Sequence, residues 1–251
     1  MSTTTTSLMV FVCAFGAALC GMLLRRALPE HHLSSDTKET VKLAMGFVAT
    51  MAALILGLLV ASAKESYDKE SDGVIQMAAK VIYLDRVLAN FGPETHAVRV
   101  LYRHAVEQVT KRMWPDWQTS ESQLDPSALH TEDLLAATQS LAPNNELQST
   151  LKDHAVALCL ELGQMRWLEY EQAQTTASGP MLYMLAFWFA VLFASFGTFA
   201  PSNGTVVAAL LLAALSVAGA IFLILELQSP FAGLVQIPNT PFLDAIAHLG
   251  K

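Results

Sequence analysis

The chain has 251 residues, 53% of them hydrophobic and only 15% charged, with a formal net charge of −7 and a mean hydropathy of +0.40. Soluble domains carry roughly 25% charged residues, so this composition argues against an ordinary soluble fold and for a membrane protein. An acidic balance without a basic patch also argues against a nucleic-acid partner.

Four stretches contain no Asp, Glu, Lys or Arg: residues 8–24, 43–63, 181–200 and 205–225. Each is about 17 to 21 residues long, close to the ~20 that a helix needs to cross a ~30 Å hydrocarbon core. They predict four membrane spans, over 8–28, 41–63, 180–200 and 204–226. The first is expected to be retained, because MSTTTTS before it lacks a basic residue while Arg25 and Arg26 follow it. That is the reverse of a cleaved signal's layout. No myristoyl or prenyl motif is present. Cys13 and Cys20 in this span, and Cys159 far along the chain, form no CxxC pair. Each is expected to serve as a small buried hydrophobe, not as a metal ligand or half of a disulfide.

Between the first two spans lies PEHHLSSD, residues 29–36. Adjacent side chains point apart on a helix and to opposite faces of a strand, so His31 and His32 are poorly placed to share a metal. A metal site would need Glu30, Asp36 or another subunit, and none is predicted. The segment reads as a polar hairpin, with a proton- or ion-sensing role as its alternative, since histidine titrates near neutral pH.

Asp36, with Glu39 three residues later, resembles a capping box that starts the second helix. No Gly or Pro stop follows the second span, and Val74, Ala78, Val81, Tyr83 or Leu84, and Leu88 continue at helical spacing. The next firm stop is Asn90-Phe91-Gly92-Pro93, so one helix is expected from about 36 to 90. Within its span, Gly46, Thr50, Ala53, Gly57 and Ala61 form a stripe of small residues, which lets helices approach closely in lipid. Beside it run the bulky residues Phe47, Met51, Leu54 and Leu58. Gly46, Ala53 and Gly57 are therefore candidate helix-packing positions. Phe47, Thr50, Met51, Leu54 and Leu58 are candidates to line a hydrophobic constriction that gates by dewetting. Plain packing against helices or lipid is the competing reading.

Residues 64–178 hold ten Lys and Arg against 17 Asp and Glu. A helix is expected over 93–113, a loop over 114–128, a short helix over 131–141, and a longer one capped by Asn144 or Asn145 and running to about 173. Gly179-Pro180 should break or bend the chain at the next membrane entry. No period-2 alternation is seen, so the fold class is all-α: four membrane helices, with spans two and three extended into an extramembrane helical bundle. The expected domains are a hairpin over 1–63, the helical region 64–178, a second hairpin over 179–227, and a tail over 228–251.

Charges stand only at the ends of the four spans, at Arg25, Arg26, Lys42 and Glu226, and the stretches between them hold none, which argues against a proton relay, a charge-coupled transporter or a voltage sensor. Glu226 stands at the end of the fourth, where it could face headgroups or pair with a neighbour. HExxH, GxSxG, the P-loop and GxGxxG are all missing, so neither an enzyme nor a cofactor is predicted. WLEYE at 167–171 and Asp85-Arg86 read as solvated faces or ion pairs within the bundle.

Residues 223–233, LILELQSPFAG, resemble the segment after the last membrane helix of bestrophins, where an acid precedes Asn-Pro-Phe-Gly. Glu226 would stand for the acid, Ser229 for the Asn, and Pro230 and Phe231 for Pro-Phe; the glycine is displaced to Gly233 by Ala232. The layout of spans and insert, with residues 29–68 and 196–227, resembles the bacterial bestrophin-like domain family over nearly the whole chain. Bestrophins are pentameric, calcium-activated anion channels with a neck lined by the second helix. The resemblance thus implies a homo-oligomer, a pentamer in bestrophins, that passes inorganic anions. His31 and His32 would then ring a vestibule at the pore mouth. Where bestrophins continue with calcium-clasping aspartates, this chain has Leu234-Val235-Gln236-Ile237, so no calcium clasp is expected there.

Two arguments about orientation oppose each other. Arg25, Arg26, Lys38 and Lys42 put the first loop in the cytoplasm by the positive-inside rule. The resemblance, with Lys64, Lys69 and Lys80, puts the termini and residues 64–178 there instead, in a bacterial inner membrane. The second placement is the one adopted. The competing function is a non-conducting sensor or scaffold whose acidic bundle binds a protein.

Overall fold

The computed structural model describes residues 3–29, 34–114, 131–174, 179–201 and 203–251. It contains α1 (Thr3–Ala27), α2 (Ser35–Phe91), α3 (His96–Met113), α4 (Thr131–Gln139), α5 (Glu146–Gln174), α6 (Gly179–Phe199), α7 (Gly204–Leu227) and α8 (Thr240–His248). No strand occurs among the described residues, as the missing period-2 pattern predicts. The loop expected over 114–128 lies, from residue 115 on, outside the described residues.

The helix expected from 36 to 90 is a single 57-residue α2. It stops where predicted: Gly92 takes φ 136°, a left-handed conformation open mainly to glycine, and Pro93 then begins a 3₁₀ turn over Pro93–Thr95. Its start differs from the predicted capping box. The Ser34 hydroxyl, one residue ahead of the helix, accepts the Thr37 N–H at 3.3 Å, while Asp36 lies inside the first turn. A cap must stand outside the helix to fold back on a free N–H, and Asp36 is already part of it. Of the two asparagines offered for α5, Asn145 is the cap: its side-chain oxygen accepts the Gln148 N–H at 2.8 Å.

The chain divides into two compact units, one of Met1–Ser66 with Ala177–Gln228 and the other of Tyr67–Thr176 with Ser229–Lys251. The first holds the four apolar segments, each in a helix long and apolar enough to cross a membrane. In it α1 packs on α6 and α7. The α1–α6 crossing is tight because it is made of small residues. A methyl group on Gly21 would overlap the Ala194 carbonyl oxygen, and one on Gly197 would overlap that of Ala18. Without a hydrophobic force between helices in lipid, such close backbone approach is what supplies contact. The Arg25 guanidinium donates to the Ala200 carbonyl, joining the last turn of α1 to the residue that follows α6.

The second unit buries Val74, Val81, Leu84 and Leu88 of α2 against Val98, Tyr102 and Val106 of α3 and Ala155 and Leu158 of α5. The segment after α7 belongs to this core: Phe231, Ile237, Phe242, Ala245 and Leu249 are all buried. Trp114 joins it, edge-on to Phe231 with centroids 5.6 Å apart, its indole N–H donating to the Ile237 carbonyl at 2.7 Å.

Candidate functional site

The part of α2 that lies in the first unit carries no charge from 43 to 63. Its turns show two contrasting sides. Ala52, Leu59 and Ala63 are 0%, 5% and 3% exposed and form the side covered by the chain itself. Phe47, Leu54 and Leu58 are 70%, 66% and 62% exposed, and Met51 is exposed beside them. Gly46, Thr50, Ala53, Gly57 and Ala61 are exposed as well, and a methyl group added at Gly46 or Gly57 would meet nothing within 4 Å. The small and bulky stripes thus form adjoining halves of one uncovered face.

That face carries no polar demand. The one hydroxyl in the stripe, on Thr50, donates to the Gly46 carbonyl of its own helix at 2.9 Å. An apolar face of this length is costly in water but stable against hydrocarbon or another helix. The bulky stripe is not uniform: Phe47 and Met51 also border a hollow between α2 and α6, opposite Trp188 and Val191.

Glu226 is buried at the end of α7, 1% exposed, and accepts a hydrogen bond from the Thr3 hydroxyl at 2.6 Å. Its partner is therefore the start of α1, within the same unit, and the run of threonines there is the signal that could have located it. Pro230 and Phe231 belong to the second unit, where the Pro230 carbonyl accepts the Ile237 N–H at 2.8 Å. His31 and His32 lie outside the described residues.

In the second unit, Asp85 is 1% exposed and sits between two arginines. Arg99 donates to its two oxygens at 2.8 and 2.9 Å, and Arg86 donates to Oδ2 at 2.7 Å. Burial works to raise the carboxyl, but these hydrogen bonds and the Arg99 charge outweigh it and hold Asp85 below its ordinary range. Arg86 and Arg99 also donate to the main-chain oxygen of Lys251, at 2.6 and 3.1 Å. Asp85-Arg86 is thus an ion pair of the bundle, and its stronger partner, Arg99, was not singled out in sequence. Burial likewise raises the thiol of Cys159, whose sulfur lies 3.9 Å from the Thr138 hydroxyl. Cys13 and Cys20 correct the expectation of burial, since both are exposed. On a membrane helix the outward side meets hydrocarbon, so a small hydrophobe there needs no protein cover. Among the described residues, no group of three or more His, Cys, Asp or Glu side chains could hold a metal ion.

A family model described as Bestrophin-like domain matches residues 12–242. Comparison with curated proteins gave no match, and comparison with solved structures gave none.

Proposed function

The chain belongs to the Bestrophin-like family, and from that premise we propose that it is a homo-oligomeric membrane channel for inorganic anions, with α2 lining the path. The observation that carries this reading is the uncovered face of α2. A helix that spends one side on its own chain and leaves a long apolar side with a small-residue stripe is suited to meet copies of itself around an axis. Phe47, Met51, Leu54 and Leu58 would form the constriction, with Thr50 beside them. Gly46, Ala53 and Gly57 would let neighbouring copies approach, as many as five by analogy with bestrophins. His31 and His32, in the hairpin before α2, would repeat once per subunit at its mouth. The four apolar helices and the family make this a multi-pass membrane protein. We place it in a bacterial inner membrane with residues 64–178 and the tail on the cytoplasmic side.

The test is anion flux in liposomes containing the purified protein, with the association state measured on the same sample. Chloride-dependent flux carried by an oligomer supports the reading. A folded oligomer that passes no ion at any pH or calcium level removes it.

A second reading, a non-conducting scaffold, draws on the outer surface of the acidic unit, where Leu160, Trp167 and Leu168 are exposed on α5. It predicts an assembly without a continuous central path.

A further inference from the structure

In the first unit, α2 and α6 run side by side with a seam open between them. Near the start of α2, Lys42 faces Ser195 and Pro201 across a hollow of about 250 Å³. Further along, Phe47 and Met51 face Trp188 and Val191 across a second hollow of about 380 Å³. Rising numbers on α2 meet falling numbers on α6, so the two hollows follow one antiparallel seam. From Val41 to Met51 it is about 15 Å long at 1.5 Å per residue. That is half of a ~30 Å hydrocarbon core, the depth of one lipid leaflet.

Charge is confined to one end of the seam. Lys42 lines the first hollow, and the Arg25 guanidinium sits on the carbonyl of Ala200, which lines it too. Lys38 lies one turn before Lys42, on the same side of α2. The second hollow is bordered by Phe47, Val48, Met51, Phe187, Trp188 and Val191, an apolar lining on which the Trp188 indole N–H is the one side-chain donor. A single hydrocarbon chain ending in an anionic group matches both the shape and the charge.

We propose that this seam binds one glycerophospholipid with an anionic headgroup, an acyl chain lying between α2 and α6 and the phosphate held at Lys42 and Arg25. The site lies wholly in the membrane unit and shares Phe47 and Met51 with the proposed constriction, so with lipid bound the axial lining would fall to Leu54 and Leu58; the test reads lipid and not conduction.

The test uses the full-length protein in detergent, stripped of co-purified lipid. It is offered phosphatidylglycerol, phosphatidylcholine with the same acyl chains, or inorganic phosphate, and bound lipid is read by native mass spectrometry. One phosphatidylglycerol per protomer is expected to survive at lipid levels where phosphatidylcholine is largely lost, and phosphate alone should not bind. Lys42→Ala should weaken phosphatidylglycerol retention about fivefold while leaving phosphatidylcholine unchanged. Lys64→Ala, past the other end of the span, should change neither. Val191→Trp, which fills the second hollow, should abolish retention of both lipids. Equal retention of the two lipids, indifferent to Lys42→Ala, overturns the proposal. So does a Val191→Trp protein that keeps its lipid, including one that loses its oligomer, because the seam would then hold a neighbouring copy. Should Val191→Trp not fold, the lipid ratio in the Lys42→Ala protein decides alone.

Discussion

The carboxylate of Asp85 on α2 receives two hydrogen bonds from the guanidinium of Arg99 on α3, at 2.8 and 2.9 Å. Bidentate pairing is the strongest form of this contact, and lysine cannot reproduce its planar fork. Because Asp85 is 1% exposed, removing its partner leaves a buried charge with reduced compensation. Arg99→Met should cost about 3 kcal/mol or more. Arg99→Lys should recover only part of that. Denaturant unfolding of the full-length protein measures both; an unchanged midpoint in Arg99→Met would remove this pair from the account of stability.

The same pair sets a pH dependence. A carboxyl held below its ordinary value stabilises the fold above that value, and loses its contribution as pH falls through the lowered one. Replacing Asp85 by Asn should therefore destabilise the protein throughout the neutral and mildly acid range. The gap between wild type and variant should close only in strong acid.

Glu70 is predicted to behave in the opposite sense. It lies on α2 past the charge-free stretch, and burial raises its carboxyl to about 6 from the ordinary 4.5. Its folded-state contribution is favourable below 4.5 and is lost as pH rises through about 6. Glu70→Gln should then raise the melting temperature at pH 7.5 and make little difference at pH 4. Melting curves at intervals between those limits locate the change; a constant offset at every pH would contradict the assignment.

In the membrane unit, the glycines separate into two kinds. Gly197→Ala places a methyl group against the Ala18 carbonyl, and Gly21→Ala places one against that of Ala194, so each should cost about 1–3 kcal/mol as α1 and α6 move apart. Gly46→Ala and Gly57→Ala meet no atom within 4 Å on their own chain and should leave the melting of a monomer unchanged. If those two lower the association state instead, the uncovered face of α2 is a contact between copies. Melting in detergent and light scattering on the same samples separate the two effects.

Leu54, 66% exposed on α2, tests the channel reading. Leu54→Ala widens and slightly wets a hydrophobic constriction, so anion flux in liposomes should increase. Flux that is present in the wild type but insensitive to both Leu54→Ala and Leu58→Ala would place the path elsewhere.

Much of this fold is legible in the chain. Spans of about 20 uncharged residues announce themselves because a helix must cross the bilayer with every backbone group satisfied internally. The end of α2 was legible for a local reason, the need for a left-handed residue at Gly92 ahead of Pro93. The start of α2 was less so, since Ser34 and Asp36 are both good cap residues and only the backbone path decides between them. The two stripes of α2 were visible as periodicity, but periodicity does not say which side the chain covers. That required knowing that Ala52, Leu59 and Ala63 face inward.

The sequence by itself determined the helical class, the four membrane segments, the length of α2 and membership of the family, all of which follow from local composition, local stops and full-length likeness. Only the tertiary structure decided that Gly21 and Gly197 form the close crossing, that Thr3 meets Glu226, that Arg99 holds Asp85, and that the segment from Phe231 to Leu249 completes the core of the second unit. These contacts join residues far apart in the chain. Their partners are chosen by packing and by the need to satisfy buried charge, and neither requirement leaves a periodic mark on a single stretch of sequence.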